Sequence, residues 1–260
     1  MIRAVFLDID GTLVSLKTHR ADPRDIEALA AARKNGVKLF VATGRHVGVP
    51  EEGYVLEGLF HHFDGFVCLT GQYCYLADGT VVRKVPISRR DLNVALEMVR
   101  LGHACTFNNG SELRITHVDD VVRAFNKKIA LPIPPVGALD PARETLSATF
   151  YMDARTEHEL LLPRLSDSDT VSWTDGIVDI VPRGGGKQNG IQAMADHFGI
   201  PIGEVMAIGD GNNDLSMIEY AGVGVAMGGS PQHVKDAADF VTLPCEDAGI
   251  YAAFKQYAVI

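Results

Sequence analysis

No run of lysines or arginines occurs anywhere in the 260-residue chain, and its formal net charge is −9. A protein that wraps nucleic acid or lies on an anionic membrane needs a basic footprint, so the composition argues against both. Any attraction for an anionic ligand must then be local: a metal ion, one or two placed cations, or helix N-termini. Cysteine is sparse as well. Cys68, Cys74, Cys105 and Cys245 have neither zinc-ligand nor redox-pair spacing, so buried free thiols in a reducing compartment are expected. No apolar run approaches membrane-spanning length. The apolar stretch Ala4-Val5-Phe6-Leu7 is too short for a signal peptide and runs straight into Asp8 and Asp10. A cytoplasmic protein is expected.

What is present is ordinary in bulk: 47% hydrophobic and 22% charged residues, in a chain long enough for one large domain or two modest ones. Residues 2–7 form a continuous apolar run ending in Asp-Ile-Asp-Gly-Thr, the pattern of a buried parallel strand with polar residues at its C-terminal end. A helix follows, with Asp22 at its N-cap, Pro23 in its first turn and Asn35-Gly36 as its stop. Val37 to Ala42 reads as a second buried strand ending in Thr43-Gly44-Arg45, residues 65–69 as a third, and Asp78-Gly79 as a hairpin turn.

From about residue 86 the texture changes. Ser88 caps a helix with Leu92, Ala95, Leu96 and Val99 on one face. Short strands are expected near 104–107 and 112–117, a helix near 119–130, then strand, helix, strand, strand to about 182. The βα alternation resumes at Gly184: Lys187 opens a helix, Val205–Ile208 is a strand ending in Gly-Asp-Gly-Asn-Asn-Asp, and Ser230-Pro231 caps a later helix. The pattern predicts an α/β protein, a doubly wound parallel-sheet core over 1–85 and 184–260 with an inserted α+β cap over 86–183.

In open parallel sheets the ligand lies beyond the carboxyl ends of the strands. Three strands end in Asp8/Asp10, Thr43 and Asp210, so these side chains should converge, with Lys187 on the same rim. Clustered carboxylates repel and are costly to bury unpaired, and a hard cation with oxygen ligands is the simplest remedy. Gly11, Gly44, Gly209 and Gly211 would let backbone amides approach an anion. Thr43 can donate to a phosphoryl oxygen and Lys187 can neutralise developing charge. The set specifies phosphoryl transfer. Each residue alone has a plainer reading: Asp8 and Asp10 as a turn, Thr43-Gly44 as the end of a strand, Asp214 as a helix N-cap. A P-loop is excluded, because Gln188 follows the lysine and Val181 stands where the first glycine should be.

Asp8-Ile9-Asp10-Gly11-Thr12-Leu13, then Ala42-Thr43-Gly44-Arg45, Lys187, and Gly209-Asp210-Gly211-Asn212-Asn213-Asp214 resemble the four ordered motifs of the haloacid dehalogenase superfamily. The large insert between the second and third motifs resembles its Cof-type sugar phosphatase branch. The resemblance implies a phosphatase in which Asp8 is the nucleophile and Asp10 the general acid and base. It implies that Thr43, Gly44, Lys187 and Asn213 bind the phosphoryl group. Asp8, the backbone carbonyl of Asp10, and Asp210 would hold Mg2+, with Gly11, Arg45 and Asp214 supporting. A hexose or pentose phosphate is the implied substrate. Asn108, Asn109, Ser111 and Glu112 read as a polar cap loop that could reach its hydroxyls. An acid two residues after the nucleophile suits a poor alkoxide leaving group, which a dehalogenase does not have. A phosphomutase would need the same pair. A phospho-accepting receiver domain carries its Asp on a middle strand in a chain about half as long, and a pure binding module has no use for Asp10.

Overall fold

Ala4–Leu7 is apolar at every position because both faces of this strand are covered, and all four residues are fully buried. The structure, a computed structural model, describes residues 1–45, 56, 58–109, 112–128 and 132–260. The chain divides into two compact units, one of residues 1–84 with 186–260 and one of residues 85–185.

The first unit is built on an eight-stranded sheet. In spatial order its strands are Phe240–Val241, Val223–Ala226, Val205–Gly209, Ala4–Leu7, Lys38–Ala42, Gly65–Cys68, Tyr73–Leu76 and Val81–Lys84. The first six run parallel, and the last two join through antiparallel pairings, Tyr73–Leu76 to Gly65–Cys68 and Val81–Lys84 to Tyr73–Leu76. The chain leaves Ala4–Leu7 in one direction for Lys38–Ala42 and Gly65–Cys68. It later fills the other side through Val205–Gly209 and Val223–Ala226. The strand order therefore reverses between Ala4–Leu7 and Val205–Gly209, where such sheets bind ligands. The register fixes what stands there: Leu7 lies opposite Ile208 and Val41, so Asp8 and Asp210 both emerge at this switch point.

The helices form for local reasons. Asp22 accepts from the amide of Arg24 at 2.8 Å at the start of Pro23–Lys34, and Gly36 leaves that helix at φ 82°. Lys187–Phe198 ends on left-handed Gly199 and packs Ile191, Met194 and Ala195 beneath Phe6 and Phe40, whose rings stack at 4.6 Å. Ser230 does not act as the expected cap. The helix Gln232–Ala237 starts after Pro231, and the buried Ser230 hydroxyl has no hydrogen-bond partner among the described residues. A C-terminal helix, Gly249–Gln256, follows the last strand.

The second unit is an antiparallel five-stranded sheet, in the order Leu113–Ile115, Cys105–Asn108, Ser147–Tyr151, Ile177–Pro182, Ser168–Thr174. The helix Arg89–Arg100, capped by Ser88, buries Leu92, Ala95 and Met98 against Phe107, Phe150 and Ile180. The helix Asp120–Lys128 sets Val122 against Ala104 and Ile115. Asn108 is not a loop residue. It ends its strand, is buried, and its carbonyl takes the Leu146 amide at 2.7 Å. Asn109 closes the hairpin onto the Glu112 amide at 3.0 Å, and Ser111 lies outside the described residues. All four cysteines are buried free thiols. No helix among the described residues is long and apolar enough to cross a membrane.

Candidate active site

Asp8 follows the strand Ala4–Leu7 directly, and its amide bonds the carbonyl of Ile208 at 3.0 Å, continuing the parallel ladder by one step. Its carboxylate is buried. Lys187, the first residue of its helix and fully buried, places Nζ at 2.6 Å from Asp8 Oδ1 and at 2.6 Å from Asp214 Oδ1. Asp214 Oδ2 accepts from the amides of Asp210 and Gly211, both at 2.9 Å. Both oxygens of Asp214 are thus occupied in holding the lysine and shaping the Gly209–Asp214 turn. It stands at the N-cap position of Leu215–Tyr220, as expected, but its side chain caps no amide of that helix and serves the lysine and the turn instead.

Thr43 leaves the neighbouring strand with its hydroxyl accepting from the Arg45 amide at 3.0 Å, so the hydroxyl proton is left for another acceptor. Gly44 adjoins it. Arg45 turns back to Asp10 with a two-pronged ion pair. Gly11 has φ 80°, and a Cβ there would stand 2.3 Å from Asp210 Oδ2, so only glycine lets the two loops approach this closely. Asn213 lies on the same turn as Asp210, and among the described residues its side chain makes no hydrogen bond to the acidic cluster.

Burial first, and the charge of Asp214 second, push Asp8 well above the usual carboxylate range against the pull of Lys187. The same two causes push Asp210 up to about 7. Burial alone would lower Lys187, yet Asp214 and Asp8 outweigh it and hold the ammonium above its usual range. Among the described residues, four carboxylates (Asp8, Asp10, Asp210, Asp214) face two cations (Lys187, Arg45), leaving two negative charges uncompensated. A divalent cation would balance them.

The donors fit one. Asp8, Asp210 and Asp214 each offer an oxygen within 4.8 Å of the others. Among the described residues, the Asp210 carboxylate accepts only from the Thr12 hydroxyl, at 3.3 Å. The carbonyl oxygen of Asp10 accepts no hydrogen bond among the described residues. An all-oxygen set with one spare main-chain acceptor suits a hard cation.

Sequence reasoning missed two parts of this surrounding. One is the turn Leu69-Thr70-Gly71, whose Thr70 amide bonds the Thr43 carbonyl at 3.1 Å and whose Thr70 carbonyl accepts the Gly186 amide at 2.7 Å. Thr70-Gly71 was its only signal. The other is Cys245, whose thiol meets the carbonyl of Thr12 at 3.1 Å and ties the C-terminal segment to the loop after Asp10.

A family described as haloacid dehalogenase-like hydrolase matches residues 5–254. The chain belongs to the haloacid dehalogenase-like hydrolases. The structure of the family phosphatase BT1666 from Bacteroides thetaiotaomicron superposes on it with a TM-score of 0.91 at 32% identity, over 100% of this chain and 96% of that one. The subclass IIB sugar phosphatase BT4131 gives 0.89 at 33% identity, over 99% and 100%. Pyridoxal phosphate phosphatase YbhA of Escherichia coli strain K12 is 30% identical over 269 residues, 92% of each chain. Within the superfamily the protein is a Cof-type member and a phosphatase.

Proposed function

We propose that this haloacid dehalogenase-like phosphatase is an Mg2+-dependent phosphomonoesterase of small phosphorylated metabolites, sugar phosphates among them, working through a phosphoryl-aspartate at Asp8. The observation that carries this is the hold on Asp8. Lys187 binds Oδ1 at 2.6 Å, while Oδ2 accepts no hydrogen bond among the described residues. One oxygen is anchored and the other is free to attack phosphorus.

Asp8 forms the new bond to phosphorus as the ester oxygen leaves, and Asp10 gives that oxygen its proton. Asp10 then takes a proton from the water that cleaves the phosphoryl-aspartate, so one cycle returns both carboxylates to their starting states. Thr43 and Lys187, with the Gly44 backbone, bind the phosphoryl oxygens and stabilise their charge. Asp8, the carbonyl of Asp10, and Asp210 would hold magnesium, which when bound offsets the charge of the cluster and of the phosphoryl group. Asp214 keeps Lys187 and the Asp210 turn in place.

The substrate class is supported by the relatives, a sugar phosphatase and a pyridoxal phosphate phosphatase. The named core residues are all committed to phosphoryl group or metal. We therefore assign selection among metabolites to residues 85–185, acting as an inserted specificity cap. A panel of phosphorylated metabolites, assayed for inorganic phosphate with magnesium and with excess chelator, tests the proposal. Steady, metal-dependent phosphate release is expected. An isomeric phosphoester as the product would instead indicate a phosphomutase, and full activity in chelator would remove the metal from the scheme.

A further inference from the structure

Three residues in a row enter the left-handed region after the strand Gly65–Cys68: Leu69 at φ 51°, Thr70 at φ 52° and Gly71 at φ 83°. Packing accounts for Gly71, because a Cβ there would stand 2.0 Å from the carbonyl oxygen of Gly186. Thr70 has no such account. A β-branched side chain in this region is a strained outlier, and glycine or asparagine would adopt the same backbone at lower cost.

The two backbone bonds of Thr70, to Thr43 and from Gly186, hold that conformation against its strain. Any residue in the same conformation would make them, so they do not explain a threonine. The side chain remains. Thr70 is buried, and its hydroxyl makes no hydrogen bond among the described residues. That hydroxyl lies 3.5 Å from where a side chain at Gly44 would begin. A free hydroxyl therefore stands beside Thr43-Gly44, on a backbone tied at one end to Thr43 and at the other to the residue before Lys187.

We propose that Thr70 is a further substrate-binding residue, whose hydroxyl donates a hydrogen bond to an oxygen of the phosphorylated substrate. The proposal rests on the assignment of Thr43, Gly44 and Lys187 to the phosphoryl group. The strain at position 70 is the cost of aiming this donor. The bond is made to substrate and transition state alike, so its loss should appear in KM more than in kcat.

Three variants separate the side chain from the backbone. Thr70→Val keeps the shape and the β-branch and removes only the hydroxyl. Thr70→Ser keeps the hydroxyl, and Thr70→Gly relieves the strain. With p-nitrophenyl phosphate and magnesium, Thr70→Val and Thr70→Gly should raise KM about tenfold, as loss of one hydrogen bond to a charged oxygen does, with kcat little changed. Thr70→Ser should stay near wild type, and Thr70→Gly should melt no lower than wild type. Calorimetric binding of inorganic phosphate with magnesium is a second readout that needs no turnover. Binding about tenfold weaker in Thr70→Val than in wild type supports the role. Equal binding in the two, or no phosphate binding by the wild type, overturns it. A wild type that binds phosphate but hydrolyses no ester would sink the phosphatase mechanism and leave this result to stand by itself.

Discussion

Arg45 grips both carboxylate oxygens of Asp10, with Nε at 2.8 Å from Oδ2 and Nη2 at 2.5 Å from Oδ1. A fork-to-fork pair of this kind fixes the plane of the carboxylate as well as its position. Asp10 is thereby aimed but not free. Passing a proton to a leaving oxygen requires one of the two bonds to open. In the proposed mechanism the guanidinium can then keep the other, which would hold Asp10 oriented through the reaction.

Asp10→Asn should cripple alkyl phosphates far more than aryl phosphates, because an aryloxide leaves with little help from an acid. Arg45→Lys keeps the charge and loses the fork, so it should show the same bias in smaller measure. Parallel kcat measurements on one alkyl and one aryl ester check both variants. Equal losses on the two esters would mean that Asp10 does not protonate the leaving group.

Gly11→Ala should weaken magnesium binding about tenfold or more, since the new Cβ would displace the carboxylate of Asp210 from 2.3 Å away. Titrating activity or melting temperature with magnesium measures this directly. An unchanged magnesium dependence would show that Asp210 does not hold the ion.

Lys187→Met leaves Asp8 and Asp214 buried without their cation. In chelator the variant should be less stable by about 3–5 kcal/mol, the usual effect of breaking a buried pair. Denaturant unfolding reads the loss. Magnesium should recover part of it by supplying positive charge to the same carboxylates. A variant as stable as wild type in chelator would contradict the charge balance drawn for the site.

Asp25 lies outside the active site and makes a separate pH prediction. It is fully buried on Pro23–Lys34, with Oδ1 accepting the Tyr251 amide at 2.7 Å and Oδ2 without a hydrogen-bond partner among the described residues. Burial pushes its carboxyl up to about 7. The folded protein thus binds this proton more tightly than the unfolded chain does. The resulting stability is fully present below about pH 4 and is lost as pH rises through about 7. Asp25→Asn should remove that slope, so its stability relative to wild type should be higher at pH 8 than at pH 5, by roughly 2–4 kcal/mol. Urea unfolding of both proteins at the two pH values checks it, and parallel pH profiles would contradict it.

The parallel strands and the residues at their ends were readable because one periodic signal and one chemical signal coincide there. Apolar runs such as Ala4–Leu7 break abruptly into Asp, Thr or Gly-Asp. The positions of Asp8, Thr43 and Asp210 follow from that, and Lys187 joins them as the first residue of the helix after Gly184-Gly185-Gly186. Partners joined across the fold were not readable. Nothing local in Thr-Gly-Arg marks Arg45 as the partner of Asp10, and nothing in Leu-Thr-Gly marks Thr70 as left-handed, since that conformation is imposed by Thr43 and Gly186. Ser230 looked like a helix cap because Ser before Pro usually is one, and here the helix begins on the proline side alone. Asn108 looked like a loop residue by type, yet strand pairing with Leu113 and Ser147 buries it.

The most direct measurement is the turnover of Asp8→Asn beside wild type, on the best ester of the metabolite panel with saturating magnesium. Circular dichroism should confirm that the variant is folded. The substitution keeps the shape of the side chain and removes the carboxylate charge that the proposed attack requires. Phosphoryl transfer through Asp8 requires turnover to fall about a thousandfold or more. Phosphate release by the folded variant at a rate near wild type would contradict it.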